Sequence, residues 1–230
     1  MLFSVLAAAI APGLALLAYF YWKDRYDAEP LHMVIRLFLA GVLIVLPAMI
    51  LQRGLTIWFG ESPLAFAFVV SAGVEELLKF FVLYHLIYNH TEFDEPYDGI
   101  VYATAVSLGF ATLENVLYAF LQPTKFGTLM VRALLPVSGH ALFGVYMGYS
   151  LGQAKFSTGK LIKYHLWMAV LLPLLWHGLY DFMMLTVPSG WMWVAVPFMF
   201  LLWYRGIRRV NHANAGSPFR LLKREEEVKS

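Results

Sequence analysis

The sequence predicts an all-α protein, a polytopic transmembrane helical bundle of about seven spans, and three observations carry that expectation. Of its 230 residues, 60% are hydrophobic and only 14% are charged, with a mean hydropathy of +0.64. So little polar surface does not cover a water-facing shell, and the apolar side chains must face lipid or one another. Apolar stretches of about 20 residues, the length that crosses a hydrocarbon core, follow one another along the chain, and the segments between them are short. This composition excludes a disordered chain, a disulfide-stapled secreted module and a nucleic-acid binder. The net charge of +2 is small, and the lack of cysteine removes disulfides, thiolate metal sites and cysteine nucleophiles.

Each span has its own basis. Leu2 to Trp22 is apolar from the start, has no preceding basic residue and is interrupted by Pro12 and Gly13. It lacks the pattern of a cleaved signal and is expected to remain as a helix. Met33 to Leu51 and Leu64 to Tyr88 follow, the latter with charges near its midpoint. Asp98 to Leu121, Val131 to Gly152 and Leu161 to Val187 form the fourth, fifth and sixth, and a Pro188-Ser189-Gly190 turn leads to a short seventh, Trp191 to Tyr204. Pro12, Pro47 and Pro173 are tolerated inside spans because neighbouring helices satisfy the freed carbonyls. Trp22, Trp58, Trp191, Trp193 and Trp203 read as interface anchors. The chain thus divides into a multi-span membrane domain, 1–204, and a charged cytoplasmic tail, 205–230, that anchors to an anionic inner leaflet.

Orientation follows from lysine and arginine placement. With the N-terminus outside, Lys23, Arg25, Lys155, Lys160, Lys163 and seven basic residues of the tail lie inside, against Arg53, Lys125 and Arg132 outside. A multi-pass protein of the cell membrane with a cytoplasmic C-terminus is expected.

Ionisable groups inside a bilayer are costly, so each marks a functional candidate. Four clusters stand out: Glu75-Glu76 with Lys79, Glu114-Asn115, Arg132 followed by His140, and His177 with Asp181. Helical spacing puts Lys79 beside both glutamates and Asp181 beside His177. One lysine can neutralise one carboxylate and leave the second available to take up and release protons. The outside N-terminus brings Glu75, Glu114, His140 and His177 to one level, roughly 10 to 17 Å below the outer surface at the helical rise. Gly144, Gly148 and Gly152 form a small-residue stripe for close helix approach, and His140 lies on it one turn earlier.

In that order on consecutive spans, Glu75-Glu76-x-x-Lys79, Phe110-x-x-x-Glu114-Asn115, Arg132 to His140 and His177-x-x-x-Asp181 resemble the PrsW family of intramembrane proteases. The resemblance covers nearly the whole chain, including the Ala-Pro-Gly around Pro12 and the Tyr97 to Tyr102 segment. The family is similar in turn to the CAAX prenyl endopeptidase and bacteriocin-immunity superfamily, which has a Glu-Glu motif, a Phe-x-x-x-His motif and a later His with Asn or Asp. Here Glu114 stands where that superfamily has His, so the superfamily's water-activating Glu and His pair does not carry over to Glu114. The resemblance implies site-1 cleavage of a single-span anti-sigma factor on its extracytoplasmic side. A second intramembrane protease then frees an extracytoplasmic-function sigma factor under envelope or antimicrobial-peptide stress.

Peptide hydrolysis needs an activated water, an oxyanion donor and a proton for the leaving amine. Glu75 or Glu76 is the candidate base, with Lys79 setting which carboxylate stays charged. His140 and His177 are the candidate oxyanion and proton donors, oriented by Asp181 and Asn115, while Glu114 and Arg132 are candidate supporting residues. No serine or threonine sits beside a membrane histidine with an acid partner, which disfavours a covalent route. This mechanism requires no cofactor, yet zinc is possible, with Glu75, Glu76, Glu114, His140, His177 and Asp181 as its candidate ligands. The competing readings are a proton-coupled transporter, whose usual inverted repeat is not found between the halves, and a non-catalytic peptide-binding membrane protein.

Overall fold

The computed structural model of the chain describes residues 2–59, 62–121, 126–187 and 189–220. Seven continuous helical stretches fill them: α1 (Leu2–Trp22), α2 (Leu31–Phe59), α3 (63–87), α4 (Asp98–Leu121), α5 (126–155), α6 (Lys160–Thr186) and α7 (Trp191–Ala215). The helical bundle expected from composition is therefore present. Among the described residues, five helices are long and apolar enough to cross a membrane, namely Ser4–Trp22, Leu31–Phe59, Asp98–Leu121, Gly127–Lys155 and Lys160–Thr186. The other two, α3 and α7, carry the internal charges Glu75, Glu76 and Lys79 and the arginines 205, 208 and 209.

Local chemistry sets the breaks. α2 loosens to a single turn at Ile44, three residues before Pro47, while the backbone there stays right-handed helical. Proline has no N–H for the preceding turn, and its ring clashes with the carbonyl four residues back. The helix resumes and runs to Phe59 rather than ending near Leu51, which carries Gln52 into the bundle. α6 and α7 each start from a glycine with positive φ, Gly159 at 60° and Gly190 at 75°, a conformation that side-chain-bearing residues rarely adopt. α7 continues to Ala215, so the expected boundary at Arg205 falls within a helix. Its arginines are packed: Arg205 lies over Trp176, and Arg209 lies 4.3 Å from the Tyr146 ring centroid. Residues 221–230 of the expected tail, with Lys125 and Pro188, lie outside the described residues. Trp22, Trp58 and Trp193 are exposed, whereas Trp203 is half-buried and stacks on Phe20.

α4 is the axis of the fold. Every residue from Asp98 to Thr112 is buried, and α1, α2 and α5 pack around it. Glycines permit that approach, because lipid tails compete with side chains for apolar contact and helix association relies on close backbone packing. A Cβ at Gly148 would stand 2.0 Å from the Gly99 carbonyl oxygen, one at Gly144 would meet Ala103 and Thr104, and one at Gly152 would meet Pro96. The predicted glycine stripe is therefore the α5 face applied to α4. Gly41 on α2 and Gly13 on α1 make comparable approaches to Val106 and Thr112.

Gly148→Val should cost about 3 kcal/mol through overpacking, lowering the thermal midpoint of the detergent-purified protein by ~6 °C or more. Gly54→Ala, where a Cβ meets nothing within 4 Å, should leave the midpoint unchanged or slightly raised.

Candidate active site

Two π-helical turns prepare the site. Phe66–Ser71 lies immediately before the α-helical turn bearing Glu75 and Glu76, and Ala133–Val137 lies immediately before His140. The second contains Pro136, whose missing N–H removes one rung of the helical ladder. π turns widen a helix locally and recur at functional sites. Here they border one cleft of about 210 Å3, lined by Ser71, Glu75, Glu114, His140, His177 and Asp181 among others.

At the cleft's floor Lys79 is fully buried. Its ammonium donates to Glu76 Oε1 at 2.7 Å and to Glu75 Oε2 at 3.3 Å, and stands 3.1 Å from His140 Nδ1. An ammonium only donates, so His140 Nδ1 accepts and the ring proton sits on Nε2, which faces Glu114 Oε2 at 3.1 Å. The ring of Phe110 completes the cradle, its centroid 4.4 Å from Nζ. Lys79 therefore bridges both glutamates, where the sequence spacing led us to expect one neutralised and one free. The spacing is compatible with either, and the choice is made by α5 supplying His140 as the third partner.

α6 closes the other side. His177 Nδ1 lies 2.9 Å from Glu76 Oε1, and Nε2 lies 3.4 Å from Asp181 Oδ2, as the four-residue spacing implies. Ser71 donates to the same Asp181 oxygen. The imidazole stacks on Phe143 at 4.8 Å and meets His140 edge to face at 5.0 Å. These aromatic faces exclude water from the floor, and exposure rises outward: the side chains of Glu76 and Lys79 are 0% exposed and that of Glu114 is 39%.

The residues expected to orient the histidines divide. Asp181 does meet His177. Asn115 meets neither ring: its amide donates to Ala9 O at 3.0 Å and its Oδ1 accepts from Arg132 Nε at 2.9 Å. It sits one residue past Glu114, which turns it toward α1, and its effect is to hold Arg132. That arginine also pairs with Glu114 at 3.2 Å and lies over Tyr118. The partner of His140 Nε2 is Glu114. Two further residues were not singled out from sequence. Gln52 Nε2 donates to Glu75 Oε1 at 3.0 Å, and it escaped notice because α2 was expected to end one residue earlier. Ser71 carries no distinguishing sequence signal.

Glu75, Glu76, His140 and His177 each bring one ligand atom to within 4.8 Å of the others. Two imidazoles and two carboxylates are suitable donors for zinc or iron, and the buried Glu76 Oε2 has no hydrogen-bond partner among the described residues. The donor set fits a divalent metal in type and spacing. Lys79 holds the same ground, so a metal bound through those atoms would displace its ammonium.

A family model described as PrsW family intramembrane metalloprotease matches residues 29–204. The chain is 50% identical over 213 residues to the protease PrsW of Geobacillus kaustophilus, covering 92% of this chain and 93% of that one. It is 48% identical over 215 residues to the protease PrsW of Bacillus subtilis, covering 93% and 97%. The protease PrsW of Clostridioides difficile is 33% identical over 202 residues, or 85% of each chain. No solved structure matches the chain.

Lys79→Met should cost about 3–5 kcal/mol, because it leaves two buried carboxylates without their cation. Adding Glu75→Gln and Glu76→Gln should restore much of that loss, which thermal unfolding of the single and triple variants will read.

Proposed function

Because the chain belongs to the PrsW family of intramembrane metalloproteases, and is thus a multi-pass membrane peptidase, we propose that it makes the first cut in a single-span anti-sigma factor. The cut falls on the extracytoplasmic side of that substrate. A second intramembrane protease then frees an extracytoplasmic-function sigma factor under envelope or antimicrobial-peptide stress. The N-terminus lies outside and the C-terminus in the cytoplasm, a reading supported by the lysine and arginine bias. The observation that carries the peptidase reading is the convergence of Glu75, Glu76, His140 and His177, from α3, α5 and α6, with Glu75, His140 and His177 lining one cleft of about 210 Å3.

The two glutamates have different work. Glu75 lines the cleft and is aimed by Gln52 and Lys79, so it takes the proton from the attacking water. Glu76 lies beneath, fixing Lys79 and His177. His177, with a carboxylate at each ring nitrogen, passes a proton to the leaving amine. His140 presents its Nε2–H toward Glu114 at the cleft wall, where the developing oxyanion can accept it. A divalent metal held by His140, His177 and a glutamate would polarise the scissile carbonyl and lower the pKa of a bound water.

Glu75→Gln, Glu76→Gln and His177→Ala should each lower cleavage of a tagged single-span substrate by about 10³-fold or more, while membrane insertion is kept. Detergent-purified protein incubated with that substrate will show this as loss of one discrete product. Full cleavage by all three variants would refute the assignment. Elemental analysis of the purified chain, with cleavage measured after chelation and after added zinc or iron, separates the two routes: cleavage that survives chelation belongs to the Lys79-held glutamates, and cleavage lost to chelation and restored by the ion belongs to a metal held by His140, His177 and a glutamate.

A further inference from the structure

A second group of buried acids lies at the opposite end of α4. Seven of the fifteen acidic residues fall within 24–29 and 92–98, the α1–α2 connection and the α3–α4 connection with the first residue of α4. Asp24, Glu95 and Asp98 each bring a carboxylate oxygen to within 4.8 Å of the others. Glu95 is 0% exposed and Asp98 is 1% exposed. Asp98 Oδ2 accepts the backbone N–H groups of Asp94 and Glu95 at 2.8 and 2.7 Å, which fixes its carboxylate. Among the described residues, neither oxygen of Glu95, neither of Asp24, nor Asp98 Oδ1 has a hydrogen-bond partner. Asp24 and the Ser217 hydroxyl lie beside Glu95 without reaching hydrogen-bond geometry. Glu29 adjoins the group, its carboxylate engaged by the Tyr102 hydroxyl.

Buried carboxylates without partners are too costly to stand alone. Desolvation, reinforced by the Glu95 charge, pushes Asp24 up to about 8, and desolvation pushes Glu29 up to about 7. Shared protons can relieve Asp24 with Glu95 and Glu29 with Asp98, yet an oxygen from each of Asp24, Glu95 and Asp98 still meets the other two within 4.8 Å. A calcium ion takes six to eight oxygens at about 2.3–2.6 Å, so two ligands across it stand about 5 Å apart. The three oxygens lie within that span of one another. With oxygen donors only, and no imidazole or thiolate, the preference is for a hard cation.

We propose that Asp24, Glu95 and Asp98 form a structural site for a hard divalent cation, calcium or magnesium, that fastens the α1–α2 and α3–α4 connections to the start of α4. The end of α7 covers it: Asn214 Nδ2 donates to Lys23 O at 3.4 Å, and Gly216 approaches Pro96. The site is sixteen residues along α4 from Glu114, about 24 Å at the helical rise, and is separate from the proposed peptidase chemistry.

The test uses the full chain in detergent, stripped with EDTA and desalted. Its thermal midpoint is followed by tryptophan fluorescence as CaCl2 or MgCl2 is added at fixed pH and ionic strength. At least one ion should raise the midpoint saturably by ~3–8 °C, with one ion retained per chain after dialysis. The rise should persist in Glu76→Gln, which removes a ligand candidate of the other cluster, and vanish in Glu95→Gln. Glu95→Gln should itself melt higher than the stripped wild type, because one of the crowded charges is gone. If Glu95→Gln does not fold, Asp24→Asn at the more accessible edge should show the same loss of response and of bound ion. The proposal fails if neither ion shifts the midpoint, if the response survives both substitutions, or if lowering the pH stabilises the protein while cations do nothing.

Discussion

The site depends on one ammonium group placed where water does not reach. Lys79 is fully buried and is held by Glu75, Glu76, His140 and the face of Phe110. Removing such a charge from water costs several kcal/mol, and only a complete set of partners offsets it. Those partners come from α3, α4 and α5, so the rotation of each helix about its axis is constrained by the same atom. Glu76 passes the constraint to α6 through His177, and Glu75 passes it to α2 through Gln52. The polar centre is therefore also what fixes register among five helices whose apolar surfaces alone would permit sliding.

That arrangement needs backbones that come close at one level and separate at another. Glycines on α1, α2 and α5 bring three helices against α4. The two π turns act in the opposite sense, widening α3 and α5 beside the cleft, so a cavity persists inside an otherwise close-packed bundle. Asn115 shows how narrowly these roles separate: one residue beyond Glu114, it serves α1 and Arg132 instead of the imidazoles.

Much of this was legible in the sequence because hydrocarbon imposes a simple rule: a charge inside an apolar run must be satisfied by another helix. Glu75, Glu76, Lys79, His140, His177 and Asp181 stood out for that reason and are brought together. Four-residue spacing gave the His177 and Asp181 contact, and the glycine repeat gave the α4 and α5 contact. Spacing within one helix could not reveal Gln52, since its relevance depends on α2 continuing past a proline-broken segment. Nor could it show that His140 pairs with Glu114, because that contact depends on how α4 and α5 cross. The acids at 24, 95 and 98 carry no such signal, because nothing in local sequence shows that two connections fold onto each other.

The complete burial of α4 from Asp98 to Thr112 bears on how the protein is made. A helix that emerges from a translocation channel normally rests its apolar side against lipid, but this one has threonines, serine and a terminal aspartate on surfaces that end up covered by protein. α1 and α2 are synthesised earlier and can receive two of its sides at once. The remaining side waits for α5, whose glycine face is the last to arrive. The order of synthesis thus puts two shielding helices ahead of α4 and its third cover after it.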